Sequence, residues 1–203
     1  MPGLLLFMAI GYLSGSVLYA RLVASHVLKI DIATIGDGNP GTSNVGKAGG
    51  PGWAVAVFIM DVLKAAIPTY IAYAAFGIDD WRLPFIAIMP AIGHAYPIFF
   101  GFKGGKGIAA ISGGWVGIAL WEVITVGGLM LALWYVSIRE SAWVTMFMGL
   151  SVGLYLVLVR APQFWFGYWV LGMIFLIWTH RRELPKPPGV QPWVMRVAQL
   201  WHR

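Results

Sequence analysis

Seven long apolar runs, separated by short stretches of Gly, Pro and charge, take up most of this sequence and leave it little architectural freedom. They are approximately Leu4 to Ala24, Trp53 to Phe76, Leu83 to Phe100, Gly107 to Trp121, Val123 to Ser137, Ala142 to Val159 and Pro162 to Thr179. A helix needs roughly 20 apolar residues to cross a hydrocarbon core, or about 17 at the short end. Within that core every backbone N–H and C=O must be paired inside the protein, so such runs fold as helices. The expectation is an all-α integral membrane protein with about seven transmembrane helices. The fourth and fifth runs are short and separated only by Glu122, so one long re-entrant segment is the alternative there. Composition agrees: 59% of the 203 residues are hydrophobic and 11% charged, with a mean hydropathy of +0.76, more apolar surface than a soluble globule can hide.

The basic residues orient the helices. With the runs laid down alternately, Arg21, Lys29, Lys47, Lys103, Lys106, Arg139 and the cluster from Arg181 to Arg203 fall on one side. Only Arg82 and Arg160 fall on the other, and Lys64 lies inside the second run. The basic side is expected to be cytoplasmic, which places the N-terminus outside and the C-terminus inside. The first run has no basic stretch before it and no Ala-x-Ala site after it, so it reads as a retained anchor helix. Residues 1–184 form one polytopic domain in this reading, and 185–203 form a basic cytoplasmic tail resting on the membrane surface. The formal net charge of +6 suits either nucleic acid or an anionic membrane face, and the hydropathy selects the membrane. Trp53, Trp81, Trp121, Trp134 and Trp143 lie near run ends, as interfacial belts require.

Several chemistries are excluded at once. The chain has no cysteine, hence no disulfide, thiolate nucleophile or Cys-based zinc site. Its four histidines show no HExxH spacing, so no metal site is expected. His26 and Asp31 have an HxxxxD spacing, which is common by chance.

Two loops on the basic side concentrate polar and glycine residues. The first runs Gly36-Asp37-Gly38-Asn39-Pro40-Gly41-Thr42-Ser43-Asn44 and is followed by Lys47. Its glycines tolerate positive φ and leave backbone N–H groups unobstructed, and the amides of Asn39 and Asn44 both donate and accept. The alternative is a flexible connector. The second runs from Gly93-His94 through Pro97 to Phe102-Lys103-Gly104-Gly105-Lys106-Gly107, where the fourth apolar run begins. Two ammonium groups, neighbouring glycines and a helix N-terminus converge there as an anion cradle, with phosphate the natural guest. The alternative, lysines snorkelling to headgroups, explains the charges but not the glycines. A P-loop is excluded because Gly101 and Gly105 enclose too few residues and Gly107 stands where Ser or Thr must hold magnesium. Asp61 and Lys64, at i and i+3 inside a membrane run, form either a functional site or a structural ion pair. Ser16, in Ser14-Gly15-Ser16, suits close helix packing. His180 either meets a phosphate or favours a helix C-terminus.

These residues resemble the bacterial membrane glycerol-3-phosphate acyltransferases that use acyl-phosphate as donor, the PlsY family. Gly15-Ser16, Gly36 to Lys47 and the GHxxPxFxxFKGGKG run from Gly93 to Gly107 resemble its three motifs in order. The Asp61 and Lys64 pair and His180 also match, and the likeness runs to about residue 183. It implies transfer of a fatty acyl group from acyl-phosphate to the 1-hydroxyl of glycerol 3-phosphate at a bacterial inner membrane. A monomer is the expectation for the chain; no motif in it fixes the oligomeric state. Neither cofactor, metal nor nucleic acid is implied. Carried over by position, Lys106 neutralises substrate phosphate with support from Lys103, Asn39 orients the reacting groups, and His94 organises the catalytic set. Substrate binding falls to Ser16, Gly36, Asp37, Gly38, Asn44, Lys47, Ser141 and His180, and to the backbone of Gly104 and Gly105.

Some positions depart from the family pattern. Asp37 stands where Ser is usual, Lys47 where Arg is usual, Glu140 or Ser141 near an expected Ser, and Glu183 near an expected Asn. Carboxylates beside a dianion repel it, and Lys lacks the bidentate fork of Arg. Either neighbouring arginines compensate, or the acceptor is another hydroxyl. A membrane phosphate binder or transporter is the rival class, but no second copy of the GGKG or GNPG loop supplies the internal repeat common in transporters.

Overall fold

The computed structural model describes residues 2–195; the expectations for Arg196 to Arg203 of the tail lie outside the described residues. Helices α1 (Pro2–Gly15) and α2 (Tyr19–Leu22, extended by a π-turn over Val23–Val27) share the first apolar run. They are followed by α3 (Thr42–Gly49), α4 (Pro51–Tyr70, continued by a π-turn Ile71–Ala75), α5 (Arg82–Ala95), α6 (Ile108–Ala119), α7 (Glu122–Ser137), α8 (Ser141–Leu158) and α9 (Gln163–His180). No strand occurs among the described residues, only an isolated bridge between Ile138 and Val190.

Among the described residues, four segments are long and apolar enough to cross a membrane: Gly3–Val27, Pro51–Ala75, Arg82–Phe100 and Ser141–Leu158. α9 has 18 residues, whereas α6 has 12 and α7 has 16. At 1.5 Å per residue, α6 spans only about 18 Å. The two short helices stay distinct, because Leu120 turns the chain at φ 51° between them. α6 packs chiefly against α4, and α7 against α8. A seam of small residues brings α6 close to α4, since a Cβ on Gly113 would strike the Val62 carbonyl and one on Gly117 would strike Thr69. α1 and α5 approach as closely at Gly15 against Pro90 and at Gly93 against Tyr12. The packing role expected for the small residues of α1 is therefore seen at Gly15.

The first run departs from a continuous helix. The Ser16 hydroxyl donates back to the Tyr12 carbonyl at 2.8 Å, and Leu18 leaves helical geometry at φ −96°, ψ 90°. That break frees the carbonyl of Val17, which accepts from the Lys64 ammonium at 2.6 Å. A side chain thus replaces the lost helical bond, as the hydrocarbon environment demands. The Lys64 ammonium also meets Asp61 at 2.7 Å and His94 Nδ1 at 2.9 Å. Three acceptors match its three donors. The structural reading of Asp61 and Lys64 is the one the geometry supports.

The described part of the tail lies against the α7–α8 turn. Gly189 N–H donates to Glu140, Trp143 Nε1 donates to the Lys186 carbonyl at 2.7 Å, and Trp193 Nε1 to that of Val136 at 2.7 Å.

Candidate active site

The asparagine-bearing loop is a packed element. Ala20, Val23, Ala24, Ile32, Val45 and Val57 form a small core of their own beneath it, which removes the flexible-connector alternative. Asp31 caps a 3₁₀ turn by accepting Ala33 N–H at 3.0 Å, and the chain then passes Gly36 and Gly38 at φ 60° and 73°. At Gly36 a Cβ would also strike the Asn44 amide and approach Lys47 Nζ to 2.7 Å. Only glycine combines that φ with that contact.

Asn44 is 2% exposed and its amide is spent inside the loop. Its Nδ2 donates to Asp37 Oδ1 at 2.7 Å and to the Asn39 carbonyl at 3.0 Å, while its Oδ1 accepts from Lys47 at 3.2 Å. Asn44 therefore shapes the site and has no donor left for a substrate. Asn39 is the opposite case: its backbone is bonded into the loop, while its side-chain amide has no hydrogen-bond partner among the described residues.

The lysine-bearing turn meets this loop directly. Lys106 Nζ lies 3.1 Å from Asp37 Oδ2 and 2.7 Å from Glu183 Oε1, just past α9. Glu183 is held in place by its N–H bond to the His180 carbonyl at 2.8 Å, and the Lys106 carbonyl accepts from Thr179 at 3.1 Å. Burial works against the Lys106 charge, but hydrogen bonds to Glu183 and Asp37 outweigh it and raise its pKa above the ordinary lysine value. Burial likewise raises the Asp37 carboxyl, but bonds from Asn44 and Lys106 prevail and bring its pKa down to about 2. Gly107, at φ 79°, then starts α6 with Lys106 at its positive end.

The glycines between the lysines do something other than expected. Gly104 and Gly105 N–H groups donate to the carbonyls of Ala95 and His94, at 3.1 and 3.0 Å. They cap the exposed C-terminal carbonyls of α5 and are not open to an acyl-phosphate oxygen. What requires glycine is the close approach: a Cβ on Gly105 would press on the His94 ring, and one on Gly104 on the His94 carbonyl. His94 is 4% exposed, and its Nδ1 is taken by Lys64. It organises the turn from behind. Ser16, fully buried, receives Ile98 N–H at 3.4 Å and so steadies the start of the same segment.

Two expected residues, Lys103 and Ser141, stand apart, while His180 lies beside the Lys106 and Glu183 pair. Lys103 is exposed, with no ion-pair partner among the described residues. Ser141 opens α8 and is exposed, and no described hydrogen bond or ion pair joins it to the Asn39 or Lys106 loops. His180 is buried and its Nδ1 faces the Leu176 carbonyl at 2.8 Å, which fixes the proton on Nδ1. His26 bonds to Ser25 and Leu22, not to Asp31, so the HxxxxD spacing carries no pair. Thr179 and Val17 escaped sequence reasoning, because their roles lie in distant backbone contacts that no local pattern signals.

An apolar cavity of about 110 Å³ opens beside this cluster, between α6, α7, α8 and α9. Ile108 and Leu176 line its near end, and Gly127, Gly128 and Trp169 lie on its walls.

The family described as glycerol-3-phosphate acyltransferase matches residues 5–186. Among its relatives, the glycerol-3-phosphate acyltransferase of Aquifex aeolicus is 37% identical over 185 residues, covering 88% of this chain and 93% of that one. That of Citrobacter koseri is 38% identical over 181 residues, covering 88% and 84%. The crystal structure of PlsY, an integral membrane glycerol 3-phosphate acyltransferase, in its glycerol 3-phosphate form superposes with TM-score 0.79 at 33% identity. The two cover 90% of each other. The lysophosphatidic acid form gives TM-score 0.78 at 34% identity, again over 90% of each chain. Fold, motif order and sequence agree, and the chain belongs to the PlsY-type glycerol-3-phosphate acyltransferases, a family of integral membrane enzymes.

Proposed function

We propose that this enzyme transfers a fatty acyl group from acyl-phosphate to the 1-hydroxyl of sn-glycerol 3-phosphate, giving lysophosphatidic acid and inorganic phosphate at the start of phospholipid synthesis. Solved relatives in glycerol 3-phosphate and lysophosphatidic acid forms support this acceptor and product. The lopsided placement of Lys and Arg supports seven helical crossings with the N-terminus outside and the active site facing the cytoplasm; in this reading the enzyme works as a monomer in a bacterial inner membrane. Residues 1–184 carry the activity, and 185–203 form a cytoplasmic extension.

The observation that carries this reading is the convergence of three segments on one ammonium, that of Lys106. A phosphate dianion entering the pocket takes over Lys106 from two carboxylates, and Lys47 and Lys103 add positive potential. Acyl-phosphate is a mixed anhydride and already activated, so the protein mainly brings two anions together and stabilises the developing oxyanion. The glycerol hydroxyl oxygen attacks the acyl carbon, the new ester C–O bond forms, and the bond to the phosphate oxygen breaks. The hydroxyl proton passes to a substrate phosphate oxygen, so no protein base is needed. In this reading the free amide of Asn39 donates to the oxyanion. The acyl chain enters the cavity between α6 and α9.

Phosphate release by the purified chain, with acyl-phosphate and a panel of hydroxyl acceptors, tests the reading. Turnover with glycerol 3-phosphate that falls about 100-fold or more in Lys106→Ala is expected, the scale of losing one oxyanion-type contact. Turnover only with a less anionic acceptor would refute the acceptor assignment. Turnover unaffected by Lys106→Ala would refute the site.

A further inference from the structure

A second hollow, of about 660 Å³, lies on the far side of the asparagine-bearing loop, between the end of α2 and the turn before the lysines. Arg21, Ser25 and Lys29 line one wall at four-residue spacing, while Ile32 and Phe100 line the apolar side. The mechanism uses none of them.

Arg21 is the informative residue. Its guanidinium sits 5.7 Å from the Phe100 ring centroid, and its Nε is enclosed by protein with no hydrogen-bond partner among the described residues. A buried donor without a partner is costly, and a guanidinium prefers a forked oxyanion. Lys29 adds a second cation and Asp31 a single opposing carboxylate, whose Oδ1 already accepts from Ala33. With Arg21 and Lys29 against Asp31, the hollow is therefore net positive.

Its surroundings name the source of that oxyanion. Arg21 and Lys29 flank the end of the apolar segment Gly3–Val27. Beside Phe100, the side chains of Ile98, Phe99 and Phe102 are 47%, 60% and 57% exposed, as lipid-facing residues are. Charge next to an apolar rim at a helix end is where headgroups meet a membrane protein. We infer that this hollow binds the phosphate of an anionic phospholipid, with the guanidinium of Arg21 and the ammonium of Lys29 on its oxygens and its chains along Phe100. Such a lipid would touch both the segment leading into the asparagine loop and the turn leading into the lysines.

Native mass spectrometry of the full chain in detergent, titrated with phosphatidylglycerol or phosphatidylcholine of matched chains, tests this. Each cation near a membrane surface contributes about fivefold in affinity. Arg21→Gln and Lys29→Gln are each expected to weaken phosphatidylglycerol binding about that much, and together roughly 30-fold. Asp31→Asn keeps an acceptor for Ala33 and is expected to strengthen binding. Lys29 is exposed, so its variant keeps the test alive if the Arg21 variant does not fold. Lys106→Ala is expected to leave this affinity unchanged; a loss there would assign the lipid to the catalytic pocket. Equal binding of phosphatidylcholine, no response to Arg21→Gln or Lys29→Gln, or displacement by millimolar inorganic phosphate would each overturn the lipid site.

Discussion

The Lys106 ammonium stands 2.7 Å from the Glu183 carboxylate, an ion pair that ties the end of α9 to the turn before α6. In the proposed reaction, where Lys106 takes the substrate phosphate, glycerol 3-phosphate has to displace that carboxylate before it gains the ammonium. The Glu183 side chain is 40% exposed and that of Lys106 20%, so solvent screens the pair and its net worth is on the order of 0.5–1 kcal/mol. Glu183→Gln removes the competitor and keeps the shape. The KM for glycerol 3-phosphate is expected to fall about two- to fivefold in this variant, with kcat little changed. A higher KM in steady-state assays would mean that Glu183 helps to hold the substrate.

Asp37 makes the site acid-sensitive in a definite direction. Its pKa is lowered from 3.8 to about 2 in the folded protein. A carboxylate with a depressed folded pKa stabilises the fold above its unfolded value, and that contribution disappears as pH falls through the folded value. The contribution of Asp37 is thus complete above about pH 4 and lost on the way to about pH 2. Asp37→Asn keeps an acceptor for Asn44 but carries no charge, and is expected to flatten the pH dependence of melting temperature in that window. Parallel wild-type and variant curves would show that this carboxylate is not the titrating group.

Lys64 holds together three parts of the bundle: the break between α1 and α2, its own helix through Asp61, and His94 at the end of α5. Lys64→Met leaves the Asp61 carboxylate buried without its partner. Breaking a buried pair from one side costs roughly 3–5 kcal/mol, whereas removing both charges is far milder. Thermal unfolding in detergent is expected to show a large loss for Lys64→Met and substantial recovery in Asp61→Asn with Lys64→Met. Additive losses in the double variant would count against coupling between the two.

The helices were legible because segments in a bilayer core must be apolar and helical, and apolar runs such as Ala142 to Val159 end within a residue or two of α8. The break at Ser16 to Leu18 was not, since Ser14-Gly15-Ser16 suits close packing of an unbroken membrane helix equally well. The partner that stabilises it, Lys64, is 47 residues away from Val17. In the site, the residue types announced an anion pocket, and the two glycine loops do meet at Lys106. Their division of labour was hidden. Asn39 and Asn44 look alike in sequence, yet only the burial of Asn44 consumes its amide. Gly104 and Gly105 advertised open N–H groups, but the carbonyls that take them belong to α5 and come into reach only when the chain folds back. Asp37 and Glu183 stood out as charges of the wrong sign for a phosphate site, and their pairing with Lys106 is a tertiary fact.

The apolar cavity gives the last prediction. Gly128 on α7 lines it, and a Cβ built there meets nothing within 4 Å. A larger side chain at that exposed position therefore grows into open space at the cavity's edge without first disturbing a neighbour. Gly153 on α8 is the contrast, because a Cβ there would lie 2.5 Å from the Trp169 ring and strain the helix packing. Gly128→Leu adds about four carbon atoms of volume inside a helix, where leucine is also the better helix former by about 1 kcal/mol. If the donor's chain occupies this cavity, the variant keeps its stability and loses activity selectively with long acyl-phosphates. A fall of about tenfold in kcat/KM with a 16-carbon donor, against little change with an 8-carbon donor, is expected from the loss of one or two buried methylenes. Competition between the two donors in a single reaction reads the ratio directly, and an unchanged ratio would place the acyl chain elsewhere on the helix bundle.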